Sequence, residues 1–422
     1  MESMLQYVWK HGLYAKSEFV TVEGTPVFVI DAGMQNTDAG PDFFNAKIRM
    51  GDSMWVGDVE IHDRASDWQA HGHHKDRAYD SVILHVVGLD DTPAYRTDGG
   101  VVPQAVLHIP EKVRQNIAWL LSRDTPAPCA AHICRIPSIY ISDWTAALVS
   151  ELLERKAADI SARLERHAKD WNEVFYITLM RSFGFGTNSD AFEWLAGSLP
   201  YRYILKHRDN LLQVEALLFG QAGLLDADSA DGGPYHQALC REYDFLRKKY
   251  HLQPVDGFLF KKLRTRPVNF PHVRIAQVAA MWVSSDVLFS TILESENLDG
   301  IKSRFNLSPS EYWHTHYHFR NASVARRKAI GKNAVNILLI NTVIPALFAF
   351  GKQKNLPAYC DRALRFLEEL PPERNRIVTL FEKAGVPVRN AGDTQALIQL
   401  QREYCDRKKC LYCRIGFRVI GN

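Results

Sequence analysis

Short segments of alternating apolar and polar residues fill the first part of the chain, up to about residue 110. Such alternation is typical of half-buried β-strands, and turn residues separate the segments from one another. The pattern predicts strands at Phe19–Val22, Pro26–Asp31, Phe43–Met50, Trp55–His62, Ser81–Val87 and Val101–His108. A helix is expected before them at Ser3–His11, and residues 63–80 leave room for another. This order of elements predicts a small α/β domain.

The pattern changes after the proline- and cysteine-containing stretch at residues 124–137. Apolar residues then recur at spacings of three and four, which is the spacing of amphipathic helices. The predicted helices are Ile141–His167, Trp171–Phe183, Asn210–Leu225, His236–Tyr250, Ile275–Leu293, Asn333–Phe350 and Ala358–Leu370. We therefore expect an α+β protein, with an α/β domain at residues 1–125 followed by a larger all-helical domain at residues 138–422.

The composition is that of a folded globular chain, with 46% hydrophobic and 23% charged residues. The N-terminal residues have no uninterrupted apolar segment of the kind that a secretory signal requires. The longest apolar run, Ile337–Phe350, is too short to span a bilayer. These features predict a cytoplasmic protein without a membrane partner, and they leave the oligomeric state open.

Residues 51–53 separate two predicted strands and have the composition of a hairpin turn. On the second strand Glu60 and His62 share one face, because successive side chains of a strand point to opposite faces. The hairpin also brings Asp42 to its open end, near His62. A regular register directs Asp42 away from Glu60, but the preceding Pro41 favours a local irregularity at this point.

Asp42 and Glu60 are candidate metal ligands. Two carboxylates that converge at a strand end are suited to Mg²⁺ or Mn²⁺, since these hard ions prefer oxygen ligands and keep positions open for phosphate and water. The bound ion then activates the attacking water and neutralises charge on the phosphate. The alternative interpretation is that Asp42 belongs to a turn and Glu60 to the surface.

Five of the sixteen histidines of the chain lie between His62 and His85. His71 and His73, with Asp76, have the ligand chemistry for Zn²⁺, Mn²⁺ or Fe²⁺. One of His62, His71 and His73 could instead act as a general base or contact a phosphate group. His85 lies within an apolar strand and is expected to be a hydrogen-bonded core residue.

The C-terminal segment contains Cys405, Cys410 and Cys413, in a C-x4-C-x2-C arrangement. Thiolates select zinc or an iron–sulfur cluster, so the segment is a candidate metal site. A fourth ligand would be needed, and the candidates are Cys360, Cys129, Cys134 or a histidine. The alternative is that these are reduced cysteines without a metal.

Several stretches of the predicted helical domain are basic and contain aromatic residues. Lys261, Lys262, Arg264 and Arg266 are candidate nucleic-acid contacts, because such clusters can bind phosphates while neighbouring rings stack on bases. The formal net charge of +3 permits a nucleic-acid partner without requiring one. A solvated helix face is the simpler interpretation of each cluster.

The Pro-Asp pair at residues 41–42 and the Glu-Ile-His triplet at residues 60–62 resemble the PD-(D/E)xK nuclease superfamily over about the first 110 residues. The resemblance implies a restriction-endonuclease-like domain in which Asp42 and Glu60 bind the metal and take part in catalysis. His62 stands where the superfamily has lysine, so His62 itself, Lys47 or Lys75 would position the water or phosphate.

The Gly-Pro-Asp-Phe and Val-Glu-Ile-His stretches, together with the terminal cysteines, also resemble an uncharacterised bacterial family of unknown function over nearly the whole chain. Some PD-(D/E)xK nucleases hold an iron–sulfur cluster through one upstream and three C-terminal cysteines. The cysteines of this chain resemble that set in outline but not in spacing.

The leading hypothesis is a metal-dependent nuclease that hydrolyses DNA or RNA. A second hypothesis is a catalytically inactive scaffold that binds nucleic acid or protein, and the absent lysine favours it. A third is a hydrolase of another substrate that uses the histidines and carboxylates to bind a transition metal.

Overall fold

The structure is a computed structural model that describes residues 2–16, 19–36, 38–225, 233–263, 265–284, 289–320 and 322–421. The chain divides into two compact units. The first comprises Met1–Trp144, Leu380–Val386 and Gln399–Asn422, and the second comprises Thr145–Thr379 and Pro387–Ile398. A mixed sheet lies in the N-terminal part and helices make up most of the remainder, which confirms the α+β prediction.

Strands and short helices alternate up to residue 137. In chain order these elements are α1 (Glu2–His11), β1 (Val27–Asp31), β2 (Met34–Gln35), β3 (Phe43–Met50), β4 (Ser53–Arg64), α2 (Asp67–Ala70), β5 (Val82–Leu89), β6 (Gln104–Val106), α3 (Glu111–Ser122) and α4 (Ala130–Ile133).

The following elements are all helical. They are α5 (Ser138–Arg166), α6 (Trp171–Phe183), α7 (Ser189–Ser198), α8 (Tyr201–Lys206), α9 (Leu211–Gln221), α10 (Gly233–Tyr250), α11 (Pro271–Ser284), α12 (Phe289–Glu294), α13 (Leu298–Ser303), α14 (Tyr312–Thr315), α15 (Lys332–Leu338), α16 (Ile344–Lys354), α17 (Pro357–Glu369), α18 (Arg376–Lys383), α19 (Ala391–Gln399) and α20 (Arg414–Ile420). Single turns of 3-10 helix lie at His73–Lys75, Arg77–Tyr79, Gly257–Leu259, Pro267–Asn269 and Cys410–Tyr412, and π-helical turns at Leu339–Val343 and Leu400–Cys405.

The sheet has the strand order β1-β3-β4-β5-β6, and β2 pairs with β3. Strands β1, β3 and β4 are antiparallel neighbours, whereas β5 runs parallel to β4 and β6 runs parallel to β5. The predicted turn at residues 51–53 joins β3 to β4. The parallel step to β5 requires a crossover connection, which residues 65–81 provide.

Helix α1 packs on strands β4 and β5. Its buried residues include Leu5, Val8 and Trp9, and the indole N–H of Trp9 donates to the carbonyl oxygen of Ala32 at 3.1 Å. In β5 every residue from Val82 to Val87 is buried, as expected of a strand covered on both faces. Glu60 and His62 of β4, which pair with His85 and Val87 of β5, are also buried.

Two sequence predictions in this part need correction. The predicted strand at Phe19–Val22 forms only isolated bridges, at Val20 and Thr21. Residues 63–80, where one further helix was expected, form the four-residue helix α2 and two 3-10 turns. Gly72 and the side-chain cap that Asp76 gives to the Ala78 N–H divide this connection into short turns.

The second unit is a helical bundle with one extensive apolar core. Large buried side chains include Tyr176, Phe192, Phe219 and Trp313. One continuous helical segment, Lys332–Lys354, is long and apolar enough to cross a membrane, but 72% of its apolar window is buried within the protein. Such burial is what the core helix of a soluble protein shows.

The division into units differs from the domains expected at residues 1–125 and 138–422. The cysteine-containing C-terminal segment, expected in the helical domain, groups instead with the sheet. Helix α20 contacts α3, and the Asn116 side chain donates to the carbonyl oxygen of Ile420 at 3.1 Å. The change from strand-like to helix-like patterns near residue 130 marks one boundary along the chain. It cannot reveal a unit that is built from separate segments.

Candidate metal centre

A β-bulge in strand β3 sets the position of Asp42. The register pairs Ala46 with Gly57, but Phe43 pairs with Val59 rather than with the next residue, Glu60. The shift of one residue occurs around Asn45, whose φ is +55° and whose N–H donates to Asp58 Oδ1 at 3.1 Å. Because a one-residue shift exchanges the two faces of a strand, the bulge brings Asp42 opposite Glu60.

Backbone N–H groups of Asp42 and Ile61 join the carboxyl groups of Asp42 and Glu60 to the two strands. The Asp42 N–H donates to Glu60 Oε2 at 3.0 Å, and the Ile61 N–H donates to Asp42 Oδ2 at 3.0 Å. The side-chain amide of Gln6 donates to the remaining oxygen, Asp42 Oδ1, at 2.9 Å. Burial, followed by the nearby Glu60 carboxylate, raises the pKa of Asp42 to about 7. These bonds fix the two carboxyl groups and leave Glu60 Oε1 directed elsewhere.

Two histidines lie beside that oxygen, and a third lies beside one of them. Glu60 Oε1 lies 3.4 Å from Nε2 of His62 and 3.3 Å from Nε2 of His73. His62 Nε2 lies 3.1 Å from Nδ1 of His71. His62, His71 and His73 each offer a ring nitrogen, and these three nitrogens all lie within 4.8 Å of one another. His62 shares a face of β4 with Glu60, while the connection between α2 and β5 supplies the other two rings.

The separations match those between ligands of one small cation. Metal–ligand bonds of about 2.1 Å place neighbouring ligand atoms about 3.4 Å apart in a tetrahedron and about 3.0 Å apart in an octahedron. His73 Nε2 is buried, and its polar neighbour is Glu60 Oε1 at 3.3 Å. The mutually close donors are the three imidazoles, and Glu60 Oε1 lies beside two of them. Imidazole donors suit Zn²⁺, Mn²⁺ or Fe²⁺ rather than Mg²⁺.

Burial keeps the ring of His62 neutral. Glu60, His62 and His73 are almost fully buried, whereas His71 is exposed. Burial, followed by the neighbouring histidines, lowers the pKa of His62 to about 2. Neutral imidazole is the form that binds a metal. The exposed ring of His71 leaves the cluster open to solvent on that side.

Neighbouring aromatic and histidine rings pack against His62 and His73 and restrict their orientation. His62 Nδ1 lies 2.9 Å from Nε2 of His85, which is fully buried as predicted. The His73 ring stacks on Tyr79, with ring centroids 3.7 Å apart, and meets the edge of Trp68. Such partners fix the orientation of a metal-binding ring.

Other predicted site residues lie apart from this cluster. Lys47 is exposed and pairs with Val56, four residues from Glu60, or about 13 Å along the strand. Asp76 caps its own turn through the Ala78 N–H. Lys261, Lys262 and Arg266 are exposed in the second unit, and Arg264 lies outside the described residues.

The predicted cysteines Cys405, Cys410 and Cys413 lie in the first unit, as does Cys129, and all are free thiols. Among the described residues they do not form a group of three or more ligand atoms within 4.8 Å of one another. The alternative fourth ligands lie elsewhere: Cys134 is exposed, and Cys360 is next to the Phe348 carbonyl oxygen in the second unit.

Sequence reasoning missed Gln6. This residue lies on α1, far from Asp42 along the chain, and no motif or spacing connects the two. Glu2, one turn earlier, has a pKa raised by burial and then by the nearby carboxylates of Asp63 and Glu60. Helix α1 thus faces the cluster with polar groups as well as apolar ones.

A family model described as "Protein of unknown function (DUF2851)" matches residues 2–376. Neither the curated proteins nor the solved structures contain a match to this chain.

Proposed function

The chain belongs to the DUF2851 family, and from the geometry around Glu60 we propose that it is a phosphodiester hydrolase, a nuclease that depends on a divalent transition metal. The observation that carries the proposal is the group of His62, His71 and His73, whose ring nitrogens lie within 4.8 Å of one another, with Glu60 Oε1 3.3–3.4 Å from two of them. The proposal moves the expected metal ligands from the pair Asp42 and Glu60 to Glu60 and the histidines.

Each residue of the cluster has a role in this proposal. Glu60, His62, His71 and His73 would hold the ion, which supplies a Lewis acid for the phosphate and lowers the pKa of bound water. Asp42 positions Glu60, since its N–H holds Oε2 and leaves Oε1 toward the rings. The exposed side of the cluster at His71 is where a phosphodiester would approach.

The order of elements supports nucleic acid as the substrate. A helix, an antiparallel hairpin bearing Asp42 and Glu60, a crossover and a parallel strand follow one another in the first unit. This is the order that the resemblance to PD-(D/E)xK nucleases implies. The exposed Lys261, Lys262 and Arg266 are candidate phosphate contacts in the second unit.

The test measures cleavage of labelled single- and double-stranded DNA and RNA with Mn²⁺, Zn²⁺ or Mg²⁺. We expect cleavage with Mn²⁺ or Zn²⁺, and a loss of more than about a hundredfold in the variants Glu60→Gln and His73→Asn. Even the removal of a residue that only hydrogen-bonds to a metal ligand typically lowers metal affinity or activity by about 10- to 100-fold. His74→Asn is the matched control, because His74 adjoins His73 but is outside the group of three.

Calorimetric titration of the same variants with Mn²⁺ and Zn²⁺ separates binding from catalysis. If the native chain binds metal, Glu60→Gln does not, and no substrate is cleaved, the metal centre is supported and the nuclease activity is refuted. A folded protein that binds neither ion would refute both.

A non-catalytic scaffold is the second candidate function. His62 stands at the position of the usual lysine, and Lys47 is about 13 Å along the strand from Glu60. Salt-dependent binding of DNA or RNA that Lys261→Ala and Lys262→Ala weaken, with no turnover under any metal, would favour it.

A further inference from the structure

A groove of about 650 Å³ lies on the first unit, lined by residues of α3 and of the segment around α4. Lys112, Trp119 and Arg123 line it from α3, where spacings of seven and four residues place them along one face of the helix. His132 and Arg135 line it from the α4 segment. At 1.5 Å per residue, Lys112 and Arg123 are about 16 Å apart along α3. The groove therefore has the length for an extended ligand rather than for a single small ion.

The charged residues that line the groove are all cationic. Lys112, Arg123 and Arg135 are exposed, and no carboxylate of the described residues lines the groove with them. None of the three forms an ion pair within the part of the chain that the structure describes, whereas the nearby Arg114 pairs with Glu111 at 3.9 Å. A concave surface lined by charges of one sign concentrates ligands of the opposite sign. The charge pattern thus fits an anionic partner.

Trp119 places a half-buried indole among these charges. The Arg123 guanidinium lies over the indole, 4.7 Å from the ring centroid. The His132 ring meets the indole nearly at a right angle, with ring centroids 4.9 Å apart. Indole and guanidinium planes are the surfaces on which proteins stack unpaired bases. Because a duplex keeps its bases stacked on one another, an aromatic ring beside the cations favours a single strand over a duplex.

Packing between α3 and α20 fixes the apolar lining of the groove. Val419 and Ile136 contribute to that lining, and they are 8% and 6% exposed. The Asn116 side chain, which also lines the groove, donates to the carbonyl oxygen of Ile420 at 3.1 Å. The surface is therefore formed before a ligand binds. A preformed surface lowers the cost of ordering that binding would otherwise carry.

We propose that the groove lined by Lys112, Trp119, Arg123 and Arg135 binds single-stranded nucleic acid. The three cations bind phosphates of the backbone, and Trp119 with Arg123 stacks on a base. DNA and RNA share this chemistry, so both are ligands to be tested. The inference goes beyond the proposed function because binding in the groove needs no metal. It rests on that function only for the further statement that the bound strand is the substrate.

The test is the fluorescence anisotropy of labelled single-stranded DNA, single-stranded RNA and duplex DNA, titrated with the full chain in EDTA. Chelation of metal prevents cleavage from consuming the probe. We expect the single strands to bind more tightly than the duplex, with an affinity that falls as salt rises. Lys112→Gln and Arg135→Gln should each reduce the slope of log affinity against log salt by about 0.7, the effect of one phosphate contact on a single strand.

Trp119→Leu tests stacking separately from charge. It should weaken single-strand binding by about 5- to 100-fold and change duplex binding less, because every cation is retained. Arg114→Gln is the matched control, since Arg114 lies on the same helix but outside the groove and is already paired with Glu111. Lys112 and Arg135 are exposed, so their glutamine variants test the groove even if Trp119→Leu fails to fold.

Three results would overturn the proposal. The first is a folded native chain that binds no single strand at low salt. The second is equal loss of affinity in Lys112→Gln and in the control Arg114→Gln. The third is equally tight binding to vesicles of phosphatidylcholine and phosphatidylserine, which would assign the groove to any anionic surface.

These results are separable from the fate of the nuclease. Single-strand binding that the groove variants weaken, without cleavage under any metal, would support the groove and refute the nuclease. Cleavage that requires Glu60, with binding that the groove variants leave unchanged, would support the nuclease and refute the groove.

Discussion

His85 lies behind the candidate metal ligands rather than among them. Its Nε2 faces Nδ1 of His62 at 2.9 Å, which orients His62 with Nε2 toward Glu60. Burial, its largest influence, lowers the pKa of His85 to about 4, so this ring stays neutral near pH 7. The pair thus consists of two neutral rings, and the proton between them decides which nitrogen of His62 is free to bind.

We expect His85→Leu to weaken metal binding by about 10- to 100-fold, which is the usual effect of losing an outer partner of a ligand. The leucine fits the apolar surroundings of β5, so the fold should be retained. Titration calorimetry with Mn²⁺ or Zn²⁺ measures the change, with His74→Leu as the control. Unchanged affinity in His85→Leu would show that His62 needs no orienting partner.

Glu215 is a second buried carboxyl group, in the second unit. It accepts hydrogen bonds from Tyr235 at 2.6 Å and from Ser310 at 2.9 Å, and it is 1% exposed. Burial is the largest influence and raises its pKa to about 7. The folded state therefore holds this proton between about pH 4.5 and pH 7, where the unfolded state releases it. The free energy of unfolding falls as pH rises through that window.

Glu215→Gln should remove this pH dependence. The variant should gain stability relative to the native chain as pH rises through the window, by roughly 3 kcal/mol at most. Urea unfolding on both sides of the window measures the difference. A parallel loss of stability in both proteins would place the titrating group elsewhere.

At the scale of elements, the bulge in β3 is what allows Asp42 and Glu60 to meet. Asn45 adopts a φ of +55°, which asparagine and glycine tolerate and β-branched residues do not. Its N–H bond to Asp58 belongs to the backbone and survives substitution. The register shift therefore depends on conformation more than on the asparagine side chain.

Asn45→Val should strain the bulge by about 1–3 kcal/mol and weaken metal binding at Glu60 through a disturbed register. Asn45→Gly should keep both the bulge and the metal affinity. Thermal unfolding and metal titration of the two variants test this pair. Equal affinity in both would show that the register does not depend on the bulge conformation.

The hairpin also shows what sequence alone can and cannot provide. Alternation predicted β3 with its bounds as observed, and β4 and α1 to within two residues. It predicted that Glu60 and His62 share a face, since a strand has a strict period of two. An irregularity near Asp42 was expected from Pro41, but the shift lies around Asn45, and no local pattern specifies where a strand bulges.

The rest of the site depends on contacts that sequence spacing does not encode. The histidine group was proposed from composition, yet the choice of Glu60 as their partner followed only from the folded geometry. Gln6 illustrates the same limit, because its side chain meets Asp42, which is far along the chain. The nuclease activity and the nucleic-acid contacts remain predictions.

At the scale of the whole molecule, the first unit is discontinuous. Residues Gln399–Asn422 bring Ile415, Val419 and Ile420 into buried positions, and burial of such side chains contributes about 1.5–3 kcal/mol each. We expect a chain that ends at residue 398 to lose the protection of residues 1–144 against proteolysis, while the second unit stays resistant. Limited proteolysis with mass spectrometry measures both units at once.

The matched control removes only residues 421–422 and should behave like the native chain. If the chain ending at residue 398 retained full protection of residues 1–144, the C-terminal segment would be an accessory to the first unit rather than part of its core.

The discontinuity has a consequence for synthesis on the ribosome. Domains generally fold as they emerge, with the N-terminal one first. Here the strands and the histidine cluster are translated early, but the residues that complete their unit are translated only after the entire second unit. The nascent sheet must therefore wait, with apolar surface uncovered, until residues 399–422 have been translated after the second unit.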